Sequence, residues 1–236
     1  MTGRLALVGS GEYLPVMTEV ERGLLAGRPA TYVQIPTAAA REGAASLERW
    51  VALGREQAAR LGVEAIPLVV RSRSEADDPA VADCLSGAGL IYLSGGSPTF
   101  LANTLRDTAV GAALVGAWQG GSSLAGCSAG AMALTSWVPN LRRPGADPVE
   151  GLGLVSSLRV IPHFDRFVGW MPDLVGRYLA RAPEGVAVLG VDEDTALVWD
   201  SGSWTVQGRQ QVWVLRRDGR TGHCAGEQLD LPPPQA

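Results

Sequence analysis

Short apolar runs alternate with stretches of helical period from the first residues to about position 195. The runs are Arg4–Gly9, Thr31–Ile35, Glu64–Val70, Leu90–Leu93, Ser123–Cys127, Leu158–Ile161 and Val186–Val191. Most are apolar nearly throughout rather than every second residue, as strands buried on both faces are. Between them, residues 16–26, 44–61, 99–119, 129–137 and 168–181 carry helical period and composition. This alternation predicts an α/β fold, a three-layer α/β/α sandwich around a mostly parallel central sheet. Beyond position 195 the pattern changes. Residues 195–200 and 203–207 flank a Ser-Gly turn, and 211–216 follow Gly208, so a hairpin and a further strand are expected to add antiparallel strands at one edge. No internal repeat or domain boundary interrupts residues 1–217, which read as one α/β hydrolytic domain. Residues 218–236 are rich in Gly, Pro and charge, and predict a flexible C-terminal tail.

Composition narrows the function classes. Apolar residues make up 46% and charged residues 19%, ordinary proportions for a packed globular protein. The 20 Lys and Arg against 24 Asp and Glu leave a net charge of -4 with no run of like charge, which argues against a nucleic-acid partner. The first apolar run is too short for a secretory signal and no stretch approaches the roughly 18 apolar residues of a membrane span, so a cytoplasmic protein with no membrane partner is expected. Three cysteines at wide spacing, with no C-x-x-C pair, suit neither a disulfide framework nor a zinc site.

Chemistry concentrates at residues 125–130, AGCSAG, where an apolar strand meets an Ala-rich helix. Two side chains there could attack a carbonyl, Cys127 and Ser128. Read as G-x-S-x-G, the stretch places Ser128 on a tight strand-to-helix turn, with Gly126 and Gly130 where neighbouring segments crowd. With Cys127 at the centre the flanking residues would be Ala125 and Ala129, a poorer fit, so Cys127 reads as the last strand residue with its side chain in the core. A serine nucleophile needs a base, and the chain has two histidines. His223 lies in the polar tail, whereas His163 ends a predicted strand, at the end of a parallel sheet where ligands bind. After the fourth strand, Ser94-Gly-Gly-Ser-Pro98 forms a second turn, where the Gly96 N–H and the Ala129 N–H could make an oxyanion hole. Gly9-Ser-Gly11 is no dinucleotide fingerprint, because Leu14 stands where that motif needs glycine, and its expected role is to shape the rim of the site.

Together these residues resemble the family of serine peptidases that contains dipeptidase E and cyanophycinase, a branch of the class I glutamine-amidotransferase-like, flavodoxin-like fold. The resemblance is carried by Gly9-Ser-Gly-Glu, Tyr92-Leu-Ser-Gly-Gly, Gly126-Cys-Ser-Ala-Gly-Ala, Gly151-Leu-Gly-Leu leading to Pro162-His-Phe, and Val191-Asp-Glu-Asp-Thr-Ala-Leu197, over about residues 4–200. It implies Ser128 as nucleophile, His163 as general base, Gly96 and Ala129 as oxyanion donors, and cleavage beside aspartyl residues without metal or other cofactor. It also implies an acid between serine and histidine. Asp147 is the first choice there, with Glu150 and, just past the histidine, Asp165 behind it. Arg142, Arg143 and Arg166 are candidate cations for an aspartyl carboxylate.

The leading expectation is therefore a serine hydrolase acting on a small aspartyl peptide, isopeptide or other acyl substrate. A catalytically weak or inactive ligand-binding member of the same fold is the alternative, motivated by the unclear acid and by Ser97-Pro98 following the Gly-Gly turn, where relatives often carry an amide residue. A glutamine amidotransferase is weaker still, since its cysteine would stand one residue early. A homodimer contact is expected if tryptophans, Trp137 and Trp170 among them, form an exposed apolar patch.

Overall fold

The computed structural model describes residues 2–141, 146–170 and 173–235, side chains at 168–170, 173 and 174 excepted. The strands, in chain order, are β1 (Leu5–Val8), β2 (Thr31–Ile35), β3 (Glu64–Pro67), β4 (Leu90–Leu93), β5 (Ser123–Cys127), β6 (Leu158–Ile161), β7 (Ala187–Val191), β8 (Thr195–Asp200), β9 (Ser203–Gly208), β10 (Gln211–Arg216), β11 (Gly219–Cys224) and β12 (Gln228–Leu229). The helices are α1 (Thr18–Leu25), α2 (Ala44–Leu61), α3 (Arg73–Ala76), α4 (Pro79–Ala82), α5 (Pro98–Leu105), α6 (Ala109–Gln119), α7 (Ala129–Ala133), α8 (Phe164–Trp170) and α9 (Asp173–Arg181). The main sheet runs β12-β9-β8-β1-β5-β4-β2-β3. Its β1, β5, β4, β2 and β3 are mutually parallel, and β8, β9 and β12 extend it antiparallel beyond β1.

The period of two along each strand divides the core. Leu5, Leu7, Val33, Ile35, Ile91, Leu93 and Leu124 face one side and pack with Leu101, Leu105, Leu114 and Trp118 of α5 and α6. Ala6, Val8, Tyr32, Tyr92, Ala125 and Cys127 face the other, against Val20, Leu24 and Ala58 of α1 and α2. Both faces are covered, so apolar residues dominate both and the sequence shows no alternation; the buried polar exceptions, Gln34 and Ser123, donate to the carbonyls of Trp50 and Leu24. The result is the expected α/β/α sandwich with a mostly parallel sheet.

Three features depart from the expectation. First, β6 and β7 do not join the main sheet; they pair with each other in parallel within a second sheet, β11-β10-β7-β6, that has its own small core of Ile161, Phe164, Tyr178, Val188 and Leu215. Second, the long helix expected over 99–119 is two helices. Asp107 has a positive φ of 55° and the Thr108 hydroxyl accepts a hydrogen bond from Gly111 N, capping α6. Third, the segment expected as a flexible tail from 218 is structured. β11 pairs with β10, β12 pairs with β9, the Trp204 indole N–H donates to Pro232 O and Gln235 N–H donates to Leu154 O. These are largely backbone bonds, which leave no hydrophobic signature. Among the described residues Leu14 is the exposed large apolar side chain, so the tryptophan patch expected for a dimer contact is not found among them; Trp170 lies outside the described side chains. No helix among the described residues is long and apolar enough to cross a membrane.

One polar group lies within the α1 layer. Glu21 is 1% exposed, and burial raises its carboxyl from 4.5 to about 7, with the neighbouring Gln57 and Tyr32 and then the Arg60 charge pulling the other way. Neither carboxylate oxygen has a hydrogen-bond partner, although Gln57 and Tyr32 lie beside it. An acid raised on folding stabilises fully below its unfolded value and loses that contribution as pH climbs through the folded one. Stability should therefore fall between pH 4.5 and pH 8, by on the order of 3 kcal/mol. Glu21→Gln should flatten this dependence in denaturant melts at pH 5 and pH 8; an equally steep fall in the variant would contradict the assignment.

Candidate active site

Ser128 stands between β5 and α7 with φ 50° and ψ -106°, a conformation that non-glycine residues seldom adopt. The crowding anticipated from the motif is present. A Cβ at Gly126 would lie 2.5 Å from the Gly130 carbonyl carbon, and one at Gly130 would clash with the Leu93 carbonyl oxygen of β4. The turn thus presents the hydroxyl at the end of the sheet, with the start of α7 behind it. Ala129 is the first residue of α7, so its N–H has no acceptor within the helix.

Cys127 is the last residue of β5, fully buried on the α1–α2 face. Its thiol donates to Glu12 Oε2 at 3.0 Å. Burial, reinforced by the Glu12 charge, raises this thiol well above its ordinary value. It is held as a neutral donor pointing away from the turn, unlike the exposed low-pKa thiolate of a reactive cysteine.

His163 Nε2 lies 3.0 Å from Ser128 Oγ. The histidine follows β6 by two residues and also has a positive φ, 48°. Its other ring nitrogen, Nδ1, lies 2.9 Å from Glu193 Oε1. Glu193 is in the three-residue link between β7 and β8, where the chain passes from the second sheet to the first. Its backbone is fixed on both sides: Asp165 Oδ1 accepts from its N–H at 3.0 Å, and its carbonyl accepts from Gln210 Nε2 and the Thr195 hydroxyl, each at 3.0 Å. Arg166 Nε lies 3.3 Å from Glu193 Oε2. His163, Arg166, Phe167 and Glu193 line an open cavity of about 430 Å³.

Glu193, and not the expected Asp147, is thus the carboxylate that lies beside His163. Asp147 is exposed, two residues before Val149, which bridges antiparallel to Val138. Glu150 is exposed and pairs with Arg106 at 2.8 Å. Asp165 supports the backbone of Glu193 instead of the imidazole. The sequence did carry a signal for Glu193, an acidic residue just past an apolar strand, but Asp192 and Asp194 flank it. Asp192 is only 4% exposed and accepts the Trp213 indole N–H, which tethers β10. The other expected residues fall as follows. Gly95, rather than Gly96, lies beside Ser128, a Cβ there coming within 3.5 Å of the serine Cβ, and its N–H is taken by Glu12 Oε1 at 2.9 Å. Gly96, with φ 133°, follows against Ala38. His223 is on β11, facing Glu227. Arg142 and Arg143 lie outside the described residues. Among the described residues no set of three or more His, Cys, Asp or Glu is placed to hold a metal ion.

The sequence profile of peptidase family S51 matches residues 5–206. The chain belongs to peptidase family S51. Two cyanophycinases, from Trichormus variabilis and a Nostoc species, are each 28% identical over 205 residues, covering 80% of this chain and 65% of theirs. The chain thus spans just under two thirds of the length of these curated relatives. A peptidase from an acI-B1 Actinobacterium, known from its crystal structure, is 44% identical with a TM-score of 0.90, over 97% of both chains. A peptidase E candidate from Listeria monocytogenes EGD-e shares the fold at 20% identity and a TM-score of 0.65, over 89% of this chain and all of its own. The S51 match ends near the close of β9, so the β10–β12 region lies outside it.

The environment of Cys127 is directly testable. Iodoacetamide at pH 8 should modify the exposed Cys84 and Cys224 and leave Cys127 untouched in the folded protein. Peptide mapping by mass spectrometry checks this; alkylation of Cys127 at the rate of Cys84 would refute it.

Proposed function

We propose that this chain is a serine peptidase that cleaves small aspartyl peptides or isopeptides, with Ser128 as nucleophile, His163 as general base and Glu193 as the acid that orients it. The observation that supports this most is the unbroken row Ser128 Oγ, His163, Glu193, with contacts of 3.0 and 2.9 Å. An ionised Glu193 accepts the Nδ1 proton, which leaves the Nε2 lone pair facing the serine hydroxyl. As Ser128 attacks the substrate carbonyl, its proton passes to Nε2, and the N–H groups of Gly96 and Ala129 receive the oxyanion. The imidazolium then gives that proton to the departing amine. Water, activated by the same nitrogen, hydrolyses the acyl-enzyme.

Arg166 supports the aspartyl preference. Its side chain is 70% exposed on the wall of the cavity beside His163, where its guanidinium can pair with a substrate carboxylate. The names of the cyanophycinase relatives and of the acI-B1 peptidase favour the same class of reaction. The binding-only alternative drew its support from an unclear acid and an altered oxyanion-side loop, and Glu193 beside His163 speaks against the first of these.

Turnover of aspartyl dipeptides and β-aspartyl-arginine, followed by mass spectrometry, tests the reading. Ser128→Ala should lose at least about 10⁴-fold in kcat, Glu193→Gln roughly 10²- to 10⁴-fold, and Asp147→Asn less than about twofold. Full activity in Ser128→Ala would sink the proposal; loss in Asp147→Asn with none in Glu193→Gln would reassign the acid.

A further inference from the structure

We propose that Glu12 is a positioning residue for this reaction: its carboxylate fixes the Gly95–Gly96 turn against Ser128 and thereby aims the oxyanion donor at Gly96. The inference rests on the serine-peptidase reading above. Glu12 lies on the loop after β1, and its two oxygens hold two different segments. Oε1 accepts from Gly95 N–H at 2.9 Å, at the end of β4, and Oε2 accepts from the Cys127 thiol at 3.0 Å, at the end of β5. Each partner immediately precedes a residue assigned to the chemistry, Gly95 before Gly96 and Cys127 before Ser128. A Cβ at Gly95 would clash with Glu12 Oε1 and stand 3.5 Å from the serine Cβ, so the carboxylate lies beneath the turn and next to the nucleophile without touching its hydroxyl.

The loop that carries Glu12 has little freedom. Tyr13 is 1% exposed, its hydroxyl shares a 2.7 Å hydrogen bond with Ser94 Oγ, and its carbonyl accepts from Arg60. The loop and the turn are therefore clamped twice, by Tyr13 to Ser94 and by Glu12 to Gly95. Both of Glu12's partners are donors, and a carboxylate is the side chain that offers two acceptor oxygens and no competing N–H. A charge-assisted hydrogen bond to Gly95 is also stronger than a neutral one. This matters because oxyanion donors act through being aimed before charge develops, and a turn free to shift at Gly95 would carry the next peptide plane, with the Gly96 N–H, out of aim at the expense of rate.

The test uses the full chain, with a fluorophosphonate probe that reports serine reactivity independently of the peptide substrate, alongside dipeptide turnover and melting temperature. Wild type should label at Ser128 and Ser128→Ala should not. Glu12→Gln keeps one oxygen for Gly95 and should stay within about fivefold of wild type in both rates; Glu12→Ala should fall about 100-fold in labelling rate and kcat, with KM within about threefold. Should Glu12→Ala not fold, Glu12→Asp, which keeps the charge but loses a methylene of reach, should fall about 10-fold. A labelled wild type with undiminished rates in the variant that lacks the reach overturns the role of Glu12 alone. So does a Glu12→Gln loss as deep as that of Glu12→Ala, which would make charge rather than aim the cause. A wild type that neither labels nor turns over removes the peptidase reading, and this inference with it.

Discussion

Two consecutive carbonyls at the end of β1 hold both halves of the site. Val8 O accepts the Ser128 N–H at 2.9 Å, and Gly9 O accepts the His163 N–H at 3.3 Å. The serine belongs to the main sheet and the histidine follows a strand of the second, so this is where two separately built sheets are brought into register. Gly9 permits it. A Cβ there would clash with the Asp192 carbonyl oxygen, in the link that carries Glu193. Ser128, His163 and the link that carries Glu193 thus converge on a two-residue stretch of backbone that contributes no side chain to the row they form.

Pairing within the second sheet then decides which carboxylate meets the imidazole. β6 and β7 run parallel with Ile161 opposite Gly190, so two residues further on His163 comes level with Asp192. Asp192 turns inward to Trp213, and the next residue, Glu193, is left at the surface of the cavity to take Nδ1. Glu193 therefore follows His163 in chain order, because it lies just past β7, the strand that pairs beside β6. A search confined to the segment between serine and histidine passes over it.

The legible and the illegible parts of this chain divide along a physical line. Runs such as LALV and LIYL announce strands buried on both faces, and Gly126 and Gly130 around Ser128 announce the turn, because burial and close approach leave marks in residue type. His163 was legible for the same reason, as a polar residue closing an apolar strand. Sheet membership leaves no such mark: β6 and β7 read like strands of one parallel sheet, and only the tertiary structure separates them. The segment from Gly219 onward is polar and pairs through its backbone, so its composition resembles that of a loose tail. The break between α5 and α6 was visible only in Asp107-Thr108, a weak cue inside an otherwise continuous helical pattern.

The acidic residues at this end of the sheets show why residue type alone could not assign roles. Glu12, Asp192, Glu193 and Asp194 sit on loops next to strands and Asp165 in the first turn of α8, and they meet different donors. Glu12 takes a backbone N–H and a thiol, Asp165 a backbone N–H, Asp192 an indole, Glu193 an imidazole, while Asp194 lies 3.9 Å from Arg209. A carboxylate is an acceptor wherever it is placed. Its consequence depends on whether the donor it holds is part of the frame, as with Trp213, or is a ring that faces the Ser128 hydroxyl, as with His163. Strand register and the close approach at Gly9 select the donor, so at this site backbone geometry gives otherwise equivalent side chains their separate functions.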